Sequence, residues 1–334
     1  MMMGANRKLE KIDDLTHGYW RSRVLFAGVE LGVFNALAGE AKSADELAGE
    51  LACDQRAMEI LLGALAGLEL LCKEGDRFSL TAELREALVP GAPHDQSAIL
   101  THLALMWDAW GRLDQVVRSG RPADRPDRPD AAQAAAFRVF IEGMHQRSRD
   151  VAELFAVLPR VAATRRMLDV GGGPGTYCIA MALRHEGLRA TVLDRAAALD
   201  VARGHIGEAG LAGRIELREG DALNDDYGGD FDLALMSQLL HAYGPEDCRR
   251  LVGKGARALV PGGLLAVNEF ALEEDGVHPP QAALFAVNML VNTDHGRTYR
   301  VSELRAMMNE ASLEDAGAES LAGRSTLVFG RRPR

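Results

Sequence analysis

The chain is 334 residues long, 47% hydrophobic and 26% charged, with a formal net charge of −10. This length holds two domains with a sizeable core, and the acidic balance disfavours loose adhesion to nucleic acid or anionic membrane. No apolar run approaches the roughly 18 residues that span a bilayer, and "MMMGANRKLEKIDDL" lacks the apolar centre of a secretory signal, so the expected location is the cytoplasm.

Residues 1 to about 118 read as a mostly helical domain. "WRSRVLFAGVELGVFNALAG" (20–39) has helical apolar spacing and stops at Gly39. Between 43 and 81 the pattern predicts a helix, a short turn, a second helix and a small hairpin turning at "KEGD" (73–76). Ser43, with Glu46 three residues later, marks a capping-box start. Helices followed by a hairpin suggest a winged helix and raise DNA binding, and charge decides against it. From 43 to 70 the acids are Asp45, Glu46, Glu50, Asp54, Glu59 and Glu69, against the single base Arg56. A recognition helix meets phosphates with Lys or Arg, and this one would repel them. Met58, Ile60, Leu61, Leu62, Leu65, Leu68 and Leu70 make the second helix apolar on most sides, as in a core or between subunits.

"RSGRPADRPDRPD" (118–130) reads as a solvated connector, and a helix over 131–158 follows, stopped by Pro159. From about residue 164 strands and helices alternate. Expected strands are 166–170, 189–194, 214–218, 231–236 and 262–269; helices lie near 280–291 and 301–311. Two antiparallel strands around Gly323 end the chain. The alternation predicts an α/β domain with a parallel, doubly wound sheet over 161–334, reached through a connector and helix (119–160).

In "MLDVGGGPGTY" (167–177) the first of those strands breaks into glycines after Asp169. Gly171 and Gly173 fit the first two places of the dinucleotide fingerprint GxGxxG, but the third falls on Thr176, and no Gly-Lys-Ser/Thr makes a P-loop. Asp194 closes the second strand, 23 residues after Gly171, where a carboxylate takes both hydroxyls of a ribose. Asp221, past the third strand in "REGDAL", stands where an acid accepts from an adenine amino group.

"VELGVFNALAG", "MLDVGGGPG", "REGDAL", "SQLLHAYGPED" and "LVPGGLLAVNEF" follow one another within about residues 17 to 330. Together they resemble the SAM-dependent O-methyltransferases of the plant-caffeate and acetylserotonin type, including bacterial members from secondary metabolism. The resemblance implies a class I methyltransferase domain with an antiparallel last strand, and an N-terminal winged-helix domain that dimerises. It implies S-adenosylmethionine (SAM) as cofactor and S-adenosylhomocysteine (SAH) as product. It assigns Gly171 and Gly173 to the cofactor, Asp194 to the ribose, and Asp221 with Ala222 to adenine. Ser237 and Gln238 fall beside the sulfonium, and Met144 and Ser148 in "FIEGMHQRS" match a helix that covers the cofactor. Ala222 is small where the family often has a bulky apolar residue.

Methyl transfer from a sulfonium is an in-line displacement, with the nucleophile held about 3 Å away. A phenol is a poor nucleophile until its proton leaves, and a histidine is a suitable base near neutral pH. His241, just past the fourth strand, is the candidate base. The family's His-Asp-Trp is here His241-Ala242-Tyr243, so an orienting carboxylate must come from elsewhere, and Glu269 at the end of the fifth strand matches a family acid. A second family acid, in a loop written Lys-Glu-Arg-Thr, gives way in "HGRTY" to Arg297. A cation there would hold a substrate carboxylate or stabilise a phenolate or enolate. Trp107 and Trp110, with Phe285, Asn288, Met289 and Asn292 at helical spacing, are candidates to bind a flat aromatic acceptor, although such stripes also build cores. His145 and His295 stay open among the other histidines.

Cys53, Cys72, Cys178 and Cys248 include no CxxC pair, and no acid or histidine spacing suggests a metal site. The expected protein is a homodimeric SAM-dependent O-methyltransferase acting on a phenolic or enolic hydroxyl of a small molecule, without nucleic-acid, membrane or metal partners. C- or N-methylation, or non-methylating SAM chemistry, is the alternative on the same scaffold. A nicotinamide oxidoreductase is opposed by Thr176 and the late start of the sheet, and a SAM-sensing DNA regulator by the acidic helix.

Overall fold

A computed structural model of the chain describes residues 2–123, 129–321 and 323–334, with side chains from residue 9 onward. It divides into two compact units between Met106 and Trp107. The first holds α1 (Met2–Glu30), α2 (Val33–Ala36), β1 (Lys42–Ser43), α3 (Ala44–Glu50), α4 (Gln55–Gly67), β2 (Cys72–Glu74), β3 (Arg77–Ser79), α5 (Ala82–Leu88) and α6 (Ser97–Leu105). The helix expected over 20–39 is two helices, because Gly32 takes a left-handed φ of 77° between α1 and α2. The capping box forms as read: the Glu46 N–H donates to Ser43 Oγ at 3.2 Å, and the Ser43 N–H to Glu46 Oε2 at 2.7 Å. β1, β3 and β2 pair antiparallel in that order. Phe34, Leu47, Met58, Leu62, Leu65 and Phe78 form the core of this unit.

The second unit opens with α7 (Trp107–Trp110) and α8 (Leu113–Ser119). Both pack against a helix near the other end of the unit, which moves the division to 106 from the 118 drawn on sequence. Residues 124–128 of the expected connector lie outside the described residues. Then follow α9 (Asp130–Ala156), β4 (Arg166–Val170), α10 (Thr176–Arg184), β5 (Arg189–Asp194), α11 (Ala196–Glu208), β6 (Ile215–Glu219) and β7 (Phe231–Ser237). The unit ends with α12 (Pro245–Ala258), β8 (Leu259–Glu269), α13 (Pro280–Asn292), α14 (Val301–Glu310), β9 (Glu314–Leu321) and β10 (Ser325–Arg331).

Among the described residues the strands form a seven-stranded sheet in the order β6-β5-β4-β7-β8-β10-β9. β10 runs antiparallel to both its neighbours and the other pairings are parallel, so this is a doubly wound sheet with an antiparallel edge. Side chains alternate across it. Met167, Leu235 and Ala266 meet Phe155, Met181 and Ile206 of α9, α10 and α11, whereas Leu168, Ala234 and Leu265 meet Leu251, Val252 and Met308 of α12 and α14. Winding reverses between β4 and β7, and the carboxyl ends of the strands at such a reversal are where doubly wound sheets bind ligands. No helix of the described residues is long and apolar enough to cross a membrane.

Candidate active site

The glycine loop leaves β4 at this reversal. Gly171 and Gly173 have φ of 66° and 52°, a region that side chains resist. A Cβ on Gly171 would lie 2.7 Å from Leu239 Cδ1, so the loop backbone presses against the segment that follows β7. At Gly173 an added Cβ meets nothing within 4 Å, which leaves this backbone open to a ligand. Asp194 Oδ2 accepts the Gly173 N–H at 2.8 Å and Oδ1 accepts the Arg195 N–H at 2.7 Å, so the loop and the end of β5 are tied together. Burial raises the Asp194 carboxyl against those two donors. Asp221 is half-buried. Its Oδ1 accepts from the N–H groups of Leu223 and Asn224, and its Oδ2 lies 3.9 Å from Arg195. The Ala222 carbonyl takes Lys254 Nζ and the Tyr227 hydroxyl, each at 2.7 Å.

Asp169, Ser237 and Asn268 end strands β4, β7 and β8 on the face that carries α10, as the two-residue period requires. Asn268 Nδ2 donates to the Tyr177 hydroxyl at 2.9 Å and to Ser237 Oγ at 3.1 Å. Gln238 takes a left-handed φ of 54° and donates its backbone N–H to the Asn268 carbonyl at 2.9 Å. Two buried oxygens here, Asp169 Oδ1 and Asn268 Oδ1, have no hydrogen-bond partner among the described residues. Asp169 is 1% exposed, its other oxygen meets only the Cys178 thiol at 3.7 Å, and burial next to Asp194 pushes its carboxyl up to about 7. Unmatched buried acceptors suit a donor-rich, positively charged ligand. Sequence reasoning gave Asp169 and Asn268 no role; a carboxylate inside an apolar run before the glycines was the available signal.

Glu269, next along β8, points to the opposite face. Its Oε2 lies 2.8 Å from His241 Nδ1, and its Oε1 accepts the His241 backbone N–H at 3.3 Å. An ionised carboxylate only accepts, so Nδ1 carries the proton, and Nε2 has no hydrogen-bond partner among the described residues. The side chains of His241 and Glu269 are 13% and 3% exposed. The imidazole stands edge-on to Phe285 with centroids 4.8 Å apart, and Phe285 in turn meets Phe270 at 4.6 Å.

A short 3-10 turn, Leu240–Ala242, carries His241 and is braced from several sides. The Arg297 N–H donates to the His241 carbonyl at 2.8 Å, the Tyr299 hydroxyl to the Tyr243 carbonyl at 2.6 Å, and the Cys248 thiol to the Leu240 carbonyl at 3.2 Å. Gly296 permits this approach: a Cβ there would come 2.6 Å from the His241 carbonyl oxygen and would also collide with Thr293 Oγ1. The Arg297 guanidinium, expected to hold a substrate carboxylate or to stabilise a phenolate or enolate, is engaged within the protein. It is held by both carboxylate oxygens of Glu303 at 3.0 Å, and it braces the turn through its backbone instead.

Along α13, Phe285, Asn288, Met289 and Asn292 share a face. Asn288 Oδ1 accepts from Trp110 Nε1 and from Asn292 Nδ2, both at 3.1 Å, and Met289 is buried. Of the two candidate tryptophans, Trp110 makes this bond and Trp107 is half-buried. Met144 and Ser148 are half-buried one turn apart on α9. His295 is exposed.

Residues 130–314 match the family model of the O-methyltransferase domain, and residues 13–84 that of the O-methyltransferase dimerisation domain. The chain belongs to the O-methyltransferase family. It is 32% identical to 3-hydroxy-5-methyl-1-naphthoate 3-O-methyltransferase of Streptomyces sahachiroi, over 91% of this chain and 89% of that one. An O-methyltransferase family protein from Burkholderia thailandensis superposes with a TM-score of 0.86 at 29% identity, covering 97% and 98% of the two chains. PigF of Serratia sp., solved with SAH, superposes at 0.85 with 26% identity over 97% and 99%. This methyltransferase uses SAM, and the oxygens and open glycine backbone at the end of β4 fit such a cofactor.

Proposed function

We propose that this O-methyltransferase methylates a phenolic or enolic hydroxyl on a small, flat secondary metabolite, with His241 as general base. The observation that carries this reading is the His241–Glu269 pair, 2.8 Å apart past the ends of β7 and β8, with no hydrogen-bond partner for Nε2 among the described residues. Bound SAM supplies a methyl carbon on a positively charged sulfur. His241 Nε2 takes the proton of the acceptor hydroxyl, and the imidazolium so formed lies against the Glu269 carboxylate. Asp194 takes the ribose hydroxyls, Asp221 and Ala222 the adenine, and Gly171 and Gly173 the methionine portion. Asp169 Oδ1 accepts from the ammonium. Ser237 and Gln238 flank the sulfonium, and Met144 and Ser148 cover the cofactor. Phe285, Asn288, Met289, Asn292 and Trp107 bind the acceptor, joined by Phe270 and Trp110. The relative named for a hydroxynaphthoate supports an aromatic acceptor.

The dimerisation-domain match supports a homodimer, and α1 exposes Leu9, Ile12, Leu15, Tyr19 and Trp20 for it. Free thiols at Cys53, Cys72, Cys178 and Cys248 suit the cytoplasm. The test supplies deuteromethyl-labelled SAM with a panel of phenols and weighs the products. Label transfer is expected, and His241→Ala should cut turnover at least about 100-fold with SAM affinity kept. Unchanged turnover in that variant removes His241 as the base.

A further inference from the structure

Helix α9 is fastened to the rest of its unit in two different ways. Its last turns are apolar: Val151, Ala152 and Phe155 are buried in the main core, and the Phe155 ring meets Tyr177 at 5.7 Å. Its middle is polar. Glu142 and His145, three residues apart on one face of α9, join a chain that crosses to α11 and α10. Glu142 Oε2 lies 2.8 Å from His205 Nε2 on α11, and the His205 and His145 rings stack at 3.9 Å with 14° between their planes. His145 Nδ1 then lies 2.9 Å from the hydroxyl of Thr176. Thr176 is 5% exposed and opens α10 directly after Gly175, the last residue of the glycine loop.

Stacked imidazoles tolerate one positive charge far better than two. His205 has carboxylates near both ring nitrogens, Glu142 at 2.8 Å and Glu208 at 3.9 Å. His145 faces His205 from α11, Thr176 from α10 and Arg149 from its own helix. Burial, His205 and Arg149 together hold it down to about 3. His145 therefore stays a neutral ring, stacked on its neighbour and bonded to the residue that directly follows the loop.

We propose that His145 is a positioning residue that latches the middle of α9 to the end of the glycine loop and so sets how long the cofactor stays bound. This rests on the reading above, in which the loop holds SAM and α9, through Met144 and Ser148, covers it. Leaving the site requires α9 and the loop to part, and the His145–Thr176 bond resists that separation. The apolar end of α9 keeps the helix in place when the bond is removed, so its loss speeds exchange without unfolding the unit.

The experiment measures SAH dissociation by stopped-flow displacement in the full-length enzyme. Thr176→Val removes the hydroxyl at constant size, and His145→Phe keeps a ring on His205 without the nitrogen. Each should speed dissociation about three- to tenfold, the scale of one hydrogen bond. The double variant should be no faster than the faster single one, because both remove the same bond. Thr176→Ser should restore the parent rate to within about twofold. Asp194→Asn, which alters the expected ribose partner, should weaken equilibrium SAH affinity and serves as the control on the site. Parent-like dissociation in Thr176→Val and His145→Phe, with Asp194→Asn weakened, overturns the latch, as do effects that multiply fully in the double variant. Unchanged affinity in Asp194→Asn overturns the placement of the cofactor and the latch with it.

Discussion

Replacing Asp169 with Asn tests the electrostatics at the end of β4, because an amide matches the protonated carboxyl in shape but cannot ionise. Burial next to Asp194 raises this carboxyl from its usual 3.8 to about 7. The sign is opposite to that of a salt-bridged acid. Below about pH 4 the folded and unfolded chains both hold the proton and Asp169 leaves stability unchanged. Between about 4 and 7 the unfolded chain gives the proton up while the folded one keeps it, and stability falls by about 1.4 kcal/mol per pH unit. Over about three units the loss reaches roughly 4 kcal/mol and is constant above pH 7. Denaturant unfolding of the cofactor-free enzyme from about pH 4 to 8.5 should therefore show Asp169→Asn gaining on the parent through that window. The two should match near pH 4 and differ by up to about 4 kcal/mol near pH 8. SAH carries the ammonium that this carboxylate would meet, so parent affinity should rise up to about tenfold per pH unit below 7 while the variant stays flat. Stability curves that run parallel across the whole range would refute a buried acid with its proton retained to about pH 7.

Glu269→Gln leaves His241 a neutral neighbour that no longer fixes its tautomer; turnover measured with SAM saturating should fall at least about 100-fold while SAH affinity by calorimetry holds. Gly296→Ala drives a Cβ to 2.6 Å from the His241 carbonyl oxygen, so the variant should lose about 1–3 kcal/mol in thermal unfolding and also lose turnover. Leu15→Glu with Trp20→Glu places charge on the exposed stripe of α1, and light scattering should register the shift from dimer to monomer.

Much of the sheet was legible. β4 and β5 begin and end at 166–170 and 189–194 as read, because strands buried on both faces are largely apolar and a terminal acid or glycine loop closes each. The same topology gathers their carboxyl ends on one edge, so Gly171, Gly173, Asp194 and Asp221 could be grouped from spacing, whereas Ser237 came only from the family resemblance. β8 was misjudged at its start. "LVPGG" looks like a turn, yet the strand begins at Leu259 and runs through Pro261, with Gly262 at a φ of 81° donating its N–H to the Arg332 carbonyl. Proline and glycine punctuate a sequence only where no neighbouring segment holds them in register.

What the sequence could not reveal are contacts between elements that share no period. His145 meets Thr176 across 31 residues, Trp110 meets Asn288 across 178, and His241 meets Glu269 across 28. Of these, the His241–Glu269 pair was anticipated only through family resemblance, and the other two from nothing in the sequence. Arg297 shows the cost most clearly. In a loop there is no repeat to say which way a side chain points, so adjacent residues exchange roles without any change in composition. Gly296 lies against the turn that carries His241 because it has no side chain, and the neighbouring cation, once its backbone N–H is spent on the His241 carbonyl, is carried out to Glu303. The cation expected to meet the substrate is thus engaged by Glu303, while its backbone braces the His241 turn. Glu269 is the one acid bonded to His241 among the described residues. In the mechanism proposed above, a base with one carboxylate neighbour is best matched to a hydroxyl that ionises readily, which favours phenols and enols over alcohols as acceptors.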